Sequence, residues 1–182
     1  MSKVFERVIY TRIMSFLRKF NVLTKNQYGF CPNHSTQLAI FQVLSYIVEN
    51  VDRNEKVAGL FFDLSRAFDT IDHSILMKIL YKCGIRGKGA QILESYLSDR
   101  EQIVCIERNG VKCFSSSSLV KQGVPQGSAL GPLLFILYVN GLCDSFVGSL
   151  ICQYADDTSV VLSGSSFSGL SQACTGVPRV MH

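Results

Sequence analysis

The sequence has no apolar run long enough to cross a bilayer. The longest, Leu133 to Val139, falls far short of the ~20 residues a spanning helix needs. The N-terminus lacks the apolar stretch and small-residue cleavage site of a secretory signal. No CxxC pair occurs among the cysteines at 31, 83, 105, 113, 143, 152 and 174, which are scattered and odd in number. That speaks against a zinc site or a disulfide framework. It favours reduced thiols, and so an intracellular protein, cytoplasmic or nuclear, that is not secreted. No second histidine stands at ligand spacing from His73, which reads as an ordinary helix residue. Internal repeats and long low-complexity tracts are missing too. What remains is 182 residues, 47% of them hydrophobic, enough to bury a core in one domain. The net charge of +4 fits a polyanionic partner without demanding one.

Periodicity sketches helices around a small sheet. Val4, Val8, Ile9, Ile13, Phe16, Leu17 and Phe20 mark an amphipathic first helix, with Lys3, Arg7, Arg12, Arg18 and Lys19 among its polar positions. Those cations are either a solvated face or a contact to a nucleic-acid backbone. A second helix starts at the capping residues Ser35-Thr36 and is expected to bury Ile40, Leu44, Ile47 and Val51. A third follows Asp63, with Ala67, Phe68, Ile71, Ile75, Leu76, Ile79 and Leu80 on one face and Gly84 near its end. A short helix is read near Gln91 to Leu97, after Gly89. Asn109-Gly110 is a two-residue hairpin signal between Gln102–Ile106 and Val111–Phe114. Pro132 to Leu142 reads as a buried helix. Strands mixed among helices in this order predict an α+β fold.

The chemistry is carried by carboxylates. Asp156 and Asp157 lie between two apolar, β-branched-rich runs, Leu150–Gln153 and Thr158–Leu162, as at the tip of a hairpin. Alone, the pair reads as a solvated turn, since Asp favours turns. Upstream, however, the apolar run Val57–Phe62 ends on Asp63, placing another carboxylate at a strand end. Like charges ~4 Å apart repel by about 1 kcal/mol in water and by more when desolvated. A divalent cation removes that penalty, and Mg²⁺ takes hard carboxylate oxygens together with substrate phosphates. Strand-end and hairpin carboxylates together form the constellation needed for two-metal phosphoryl transfer. Asp63, Asp156 and Asp157 are therefore expected to converge within bridging distance of one metal pair. Asp69 and Asp72 are placed on the exposed or capping side of the following helix.

Three blocks stand in the order found in reverse transcriptases: Phe62-Asp63-Leu64-Ser65-Arg66-Ala67-Phe68-Asp69, Gln122-Gly123-Val124-Pro125-Gln126-Gly127-Ser128 and Tyr154-Ala155-Asp156-Asp157. Gln27-Tyr28-Gly29-Phe30 with Ser35-Thr36, Tyr96 to Gln102 and Leu130 to Phe135 match as well. Over roughly residues 1–164 the chain resembles the reverse transcriptase domain of non-LTR, jockey-like retrotransposons. The resemblance implies a right-hand polymerase fold with fingers and palm. It further implies RNA-directed DNA polymerase activity on an RNA template, a DNA primer and dNTPs, with two Mg²⁺ ions (or Mn²⁺) held by Asp63, Asp156 and Asp157. It gives Phe68 the position that presses on the sugar and excludes a 2′-hydroxyl, whereas periodicity alone makes Phe68 a core residue. It sets Gln126, Gly127 and Ser128 beside the templating base and incoming nucleotide. Arg66, Lys56 and His34 are candidates for phosphate contact. No membrane partner is implied, and nothing in the sequence sets an oligomeric state.

Departures from the family pattern qualify the activity. Cys31 follows Phe30 where the family carries an arginine able to grip phosphate bidentately. Gly141 stands where aspartate is common. The pattern stops soon after Leu162, so residues 165–182 are expected to be unstructured or out of frame. The thumb, the primer grip and the lysine-bearing palm motif are expected to be missing, as in a truncated reading frame with impaired polymerisation. A catalytically inactive palm fragment that only binds nucleic acid is the alternative. An RNA-dependent RNA polymerase or a group II intron maturase is a third reading. Phe68, Ala155 and the Gly-Val-Pro-Gln-Gly-Ser loop favour the reverse transcriptase over it.

Overall fold

A computed structural model describes residues 2–64, 66–145 and 148–175. In chain order the elements are α1 (Ser2–Lys19), α2 (Thr36–Asp52), β1 (Lys56–Phe62), α3 (His73–Lys82) and α4 (Lys88–Leu97). Then come β2 (Glu101–Gln102), β3 (Cys105–Arg108), β4 (Val111–Phe114), β5 (Ser118–Leu119) and α5 (Gly131–Tyr138). A 3-10 turn (Asn140–Ser145), β6 (Leu150–Tyr154), β7 (Asp157–Gly164) and α6 (Phe167–Thr175) complete the described chain. β1, β7 and β6 form an antiparallel sheet in that order, so β7 is central. β2 pairs with β5 and β3 with β4 as two separate ribbons. The architecture is α+β. No helix among the described residues is long and apolar enough to cross a membrane.

The main core lies among helices beside the sheet. Leu133, Leu134, Phe135, Ile136 and Leu137 make α5 buried on every side, and Leu17, Ile71, Leu76, Leu80, Leu93 and Leu97 close around it. Each such side chain contributes about 1.5–3 kcal/mol on leaving water, an upper range because unfolded chains are already partly collapsed. A smaller cluster on the sheet joins Cys143, Ile151 and Val160 to Leu60, Phe62 and Leu162. Ser35 caps α2 as its sequence suggests, its hydroxyl accepting from the Leu38 N–H at 3.3 Å. The Asn109-Gly110 turn also forms, with φ of 53° and 77°, the positive pair that a two-residue hairpin requires.

Four expectations are corrected. α2 does not bury Ile40, Leu44 and Val51, which are exposed, and Ile47 is half-buried. The side turned to the sheet carries Ala39 and Asn50, with Tyr46 Oη 3.2 Å from Ser163 Oγ. α2 is apolar nearly all round, so periodicity alone cannot choose its inner face. The helix read from Ala67 begins only at His73. Arg66 sits at φ 56°, a tight turn follows, and Asp72 caps α3 by accepting from the Ile75 N–H at 2.9 Å. Hydrogen bonds from Ser74 and Ile75 hold the Asp72 carboxyl below its usual range. The helix read over Pro132–Leu142 ends at Tyr138 and passes into the 3-10 turn. In the tail, where the family pattern stops and residues 165–182 are expected to be unstructured or out of frame, Phe167–Thr175 form α6, anchored by buried Leu170 packed at Gly164. Residues 176–182 lie outside the described chain.

Candidate active site

Register assembles the carboxylates. The last β1–β7 pair is Phe62↔Thr158, so Asp63 stands one step further along the same register, opposite Asp157. Tyr154↔Asp157 closes the β6–β7 hairpin, leaving Ala155-Asp156 as a two-residue turn. All three carboxylates therefore sit at one end of the three-stranded sheet. Asp63 and Asp157 are exposed and Asp156 is half-buried. What the register gives is the placement of the three positions along the strands. Among the described residues no three His, Cys, Asp or Glu side chains already stand together as a metal cluster. The donor set nevertheless suits a hard divalent cation: three carboxylates whose charge no lysine or arginine offsets, since the one ion pair among the described residues is Lys112–Glu107.

The turn is held from the far end of the chain. Ala155 takes φ 58°, a conformation that disfavours a side-chain-bearing residue by roughly 1–2 kcal/mol. Its N–H donates to Gln27 Oε1 at 3.0 Å, and the Gly29 N–H donates to the same oxygen at 2.8 Å. The Tyr28 N–H donates to the Gln153 carbonyl at 2.7 Å and the Gln153 N–H to the Asn26 carbonyl at 2.8 Å. A Cβ on Gly29 would run into the Ala155 backbone nitrogen, so the approach requires glycine there.

The Gln122–Ser128 loop docks on the turn after β1. The Gly123 N–H donates to the Ile71 carbonyl, and the Val124 N–H to the Phe68 carbonyl, each at 2.8 Å. His73 is not an ordinary helix residue: its Nε2–H donates to the Gly123 carbonyl at 2.7 Å. Gly123 has φ 84°, and a Cβ there would lie 2.8 Å from Asp69 Cα, so this crossing too requires glycine. Gln126 Nε2 donates to Asp69 Oδ1 at 3.0 Å. The Ser128 hydroxyl donates to the Pro125 carbonyl and accepts from the Gly131 N–H, shaping the start of α5. Gln126 and Gly127 remain exposed at the loop surface.

Phe68 packs on the helical core at the surface end of the turn after β1. Its ring stacks on buried Phe135 with centroids 4.5 Å apart and meets Phe30 edge-on at 6.1 Å, yet it stays half-buried. Arg66 is exposed near the carboxylate end. Lys56 is not near that end: it pairs with Gly164 at the opposite end of the β1–β7 ladder and lies over the Phe167 ring. The His34 ring packs edge-on against Tyr28. Cys31 is half-buried, and burial pushes its thiol above the ordinary range while Arg18 pulls it back. Cys152, under α2, is pushed up to about 11 by burial and by Cys143, which keeps it a neutral thiol at neutral pH. Spacing alone offered no signal for the roles of Gln27 and His73, because both act on backbone groups far away in sequence.

Comparison with known proteins gives the kinship from sequence and a likeness of fold from structure. A family model described as "Reverse transcriptase (RNA-dependent DNA polymerase)" matches residues 1–177. The chain is 34% identical over 163 residues to the probable RNA-directed DNA polymerase from transposon X-element of Drosophila melanogaster, covering 87% of this chain and 17% of that protein. It is 31% identical over 172 residues to the RNA-directed DNA polymerase from mobile element jockey of Drosophila funebris, covering 88% of this chain and 18% of that one. The chain thus spans under a fifth of the length of these relatives. In structure it resembles apo telomerase from Candida tropicalis truncated from the C-terminal domain, with a TM-score of 0.66 at 16% identity, over 97% of this chain and 36% of that one. The chain belongs to the reverse transcriptase family, and its relatives are the jockey-like polymerases of non-LTR retrotransposons.

Proposed function

We propose that the chain carries the nucleotidyl-transfer centre of an RNA-directed DNA polymerase, adding dNTPs to a primer 3′-hydroxyl on an RNA template. The observation that carries this reading is the register that brings Asp63, Asp156 and Asp157 to one sheet end, with the Gln126 loop bonded to Asp69 in the turn that follows Asp63. Asp63, Asp156 and Asp157 would hold two Mg²⁺ or Mn²⁺ ions. Such ions, when bound, neutralise charge on the attacking and leaving oxygens and ease loss of the hydroxyl proton. The remaining roles fall to the chain itself. Exposed Gln126 and Gly127 meet the base pair being formed, and Ser128 fixes the loop behind them. Phe68 bounds the sugar, supported by Phe135, and Arg66 attracts phosphate. A fragment that only binds nucleic acid is the competing reading, favoured by Cys31 in place of the expected arginine.

Primer extension on an RNA template with Mg²⁺ and dNTPs is the test. The 182-residue chain is expected to extend slowly and by few nucleotides. By the resemblance, the groups that fix a primer terminus lie outside the matched pattern, and such positioning is worth effective molarities of roughly 10⁵ M or more. Template binding should weaken steeply with salt, as phosphate contacts release counterions. Extension wholly absent alongside salt-sensitive binding would favour the binding fragment. A second measurement tests the sugar wall. Phe68→Val is expected to lower the preference for dNTP over rNTP on the order of 10²-fold in kcat/KM. An unchanged preference would leave Phe68 with packing alone.

A further inference from the structure

We propose that Gln27 is a positioning residue for the carboxylate turn: its amide fixes the Ala155 peptide and so the direction in which Asp156 leaves the sheet. The proposal rests on the catalytic reading above and assigns Gln27 no contact with substrate. Ala155 is buried at the tip of a two-residue hairpin, where no neighbouring strand satisfies its backbone groups. Buried N–H and C=O groups almost always need partners. Gln27, only 1% exposed, supplies them from 128 residues away. Its Oε1 takes the Ala155 N–H at 3.0 Å, and its Nε2 faces the Ala155 carbonyl at 3.5 Å. One side-chain amide thus imitates the peptide of a missing strand.

Three neighbouring facts make this a clamp rather than an isolated contact. Gln27 and Gln153 form a parallel bridge that continues β6 onto the 26–28 segment. The Gly29 N–H shares the acceptor oxygen at 2.8 Å, fixing which way the amide points. Gly29 itself lets the two backbones approach as closely as glycine permits. Ala155 sits at positive φ, a conformation that the surroundings must impose. Rotation of its peptide would swing Asp156 relative to Asp63 and Asp157, because a two-residue turn has no slack between them.

The test uses the intact 182-residue chain with Gln27→Met, which keeps the volume and removes both partners, and Gln27→Glu, which keeps the acceptor oxygen. Amide hydrogen exchange of Ala155 and Asp156 is read against the β6–β7 ladder. In Gln27→Met it should speed at least tenfold relative to that ladder, with Gln27→Glu recovering much of the protection. Binding of Mn²⁺ alone, followed by electron paramagnetic resonance below the melting temperature of every variant, should weaken about tenfold in Gln27→Met and partly recover in Gln27→Glu. Unchanged turn exchange would overturn the proposal. So would Mn²⁺ affinity equal to wild type in a Gln27→Met variant that merely melts earlier. Wild-type binding of Mn²⁺ no tighter than that of Asp156→Asn would instead sink the catalytic reading, and the exchange result would then decide the role of Gln27 by itself.

Discussion

Asp156→Asn is expected to lower metal-dependent primer extension by at least ~10³-fold, about 4 kcal/mol of transition-state stabilisation, while leaving the fold intact. The substitution removes a charge and almost no volume. Asn fits a turn as readily as Asp, so the two-residue geometry between Tyr154 and Asp157 survives. Asp156 is half-buried and lies next to Asp157, and among the described residues it forms no ion pair, so removing the charge breaks none of the contacts described. Single-nucleotide incorporation, read beside thermal unfolding of the same preparations, separates chemistry from stability. A variant that keeps more than a tenth of wild-type incorporation would remove Asp156 from the centre. Asp63→Asn should behave alike, since Asp63 directly follows Phe62, whose register partner Thr158 is the neighbour of Asp157.

Phe135→Ala should be the most damaging single change in the core, at about 3–5 kcal/mol. Folded domains hold only about 5–15 kcal/mol in total, so the loss is a large share of what keeps the chain folded. Phe135 is 1% exposed, on a helix buried on all sides, and its ring stacks on Phe68. Removal leaves a cavity and also forfeits an aromatic pair worth about 0.5–1.5 kcal/mol beyond area. At about 2–4 °C per kcal/mol for a chain of this size, the melting temperature should fall by roughly 6–20 °C. Phe61→Ala is the contrast: Phe61 is 78% exposed, and its loss should stay within ~0.5 kcal/mol. Urea denaturation of both variants checks the pair. A loss below about 1.5 kcal/mol for Phe135→Ala would mean that the core collapses around the gap.

Local signals carried most of what the sequence revealed. Ser35 before an apolar run, Asn109-Gly110 between strands and Asp156-Asp157 between β-branched runs each act over a few residues, and the structure has a cap, a turn and a turn there. The inner face of α2 was not legible. Apolar residues surround the helix, and the sheet it rests on is completed only by β6 and β7 near the end of the described chain. The start of α3 was hidden because Ala67 and Phe68 keep helical spacing while serving a turn that receives the Gly123 loop. Lys56 looked like a phosphate contact only until the register placed it at the other end of the strand from Asp63. At the site, the carboxylates showed as a motif. Gln27 and Asp69 stood inside matching blocks and His73 on a helix, but the contacts they make did not show, since a hydrogen bond to a group distant in sequence leaves no periodicity.

The strand order carries a consequence for how the chain is made. β7, the central strand, leaves the ribosome about 100 residues after β1, its edge partner from Lys56 to Phe62. At ~5–20 residues per second the nascent β1 waits roughly 5–20 s with its hydrogen-bonding edge open. During that interval Leu60 and Phe62 have no β7 residues to pack on, and Phe61 stays bare even in the finished fold. Pairing across so long a loop is slow and leaves partly made chains prone to associate. Synthesis of this domain should therefore depend on holdase chaperones more strongly than its helical core alone would suggest, and stalled chains ending before Asp157 should be the species they retain.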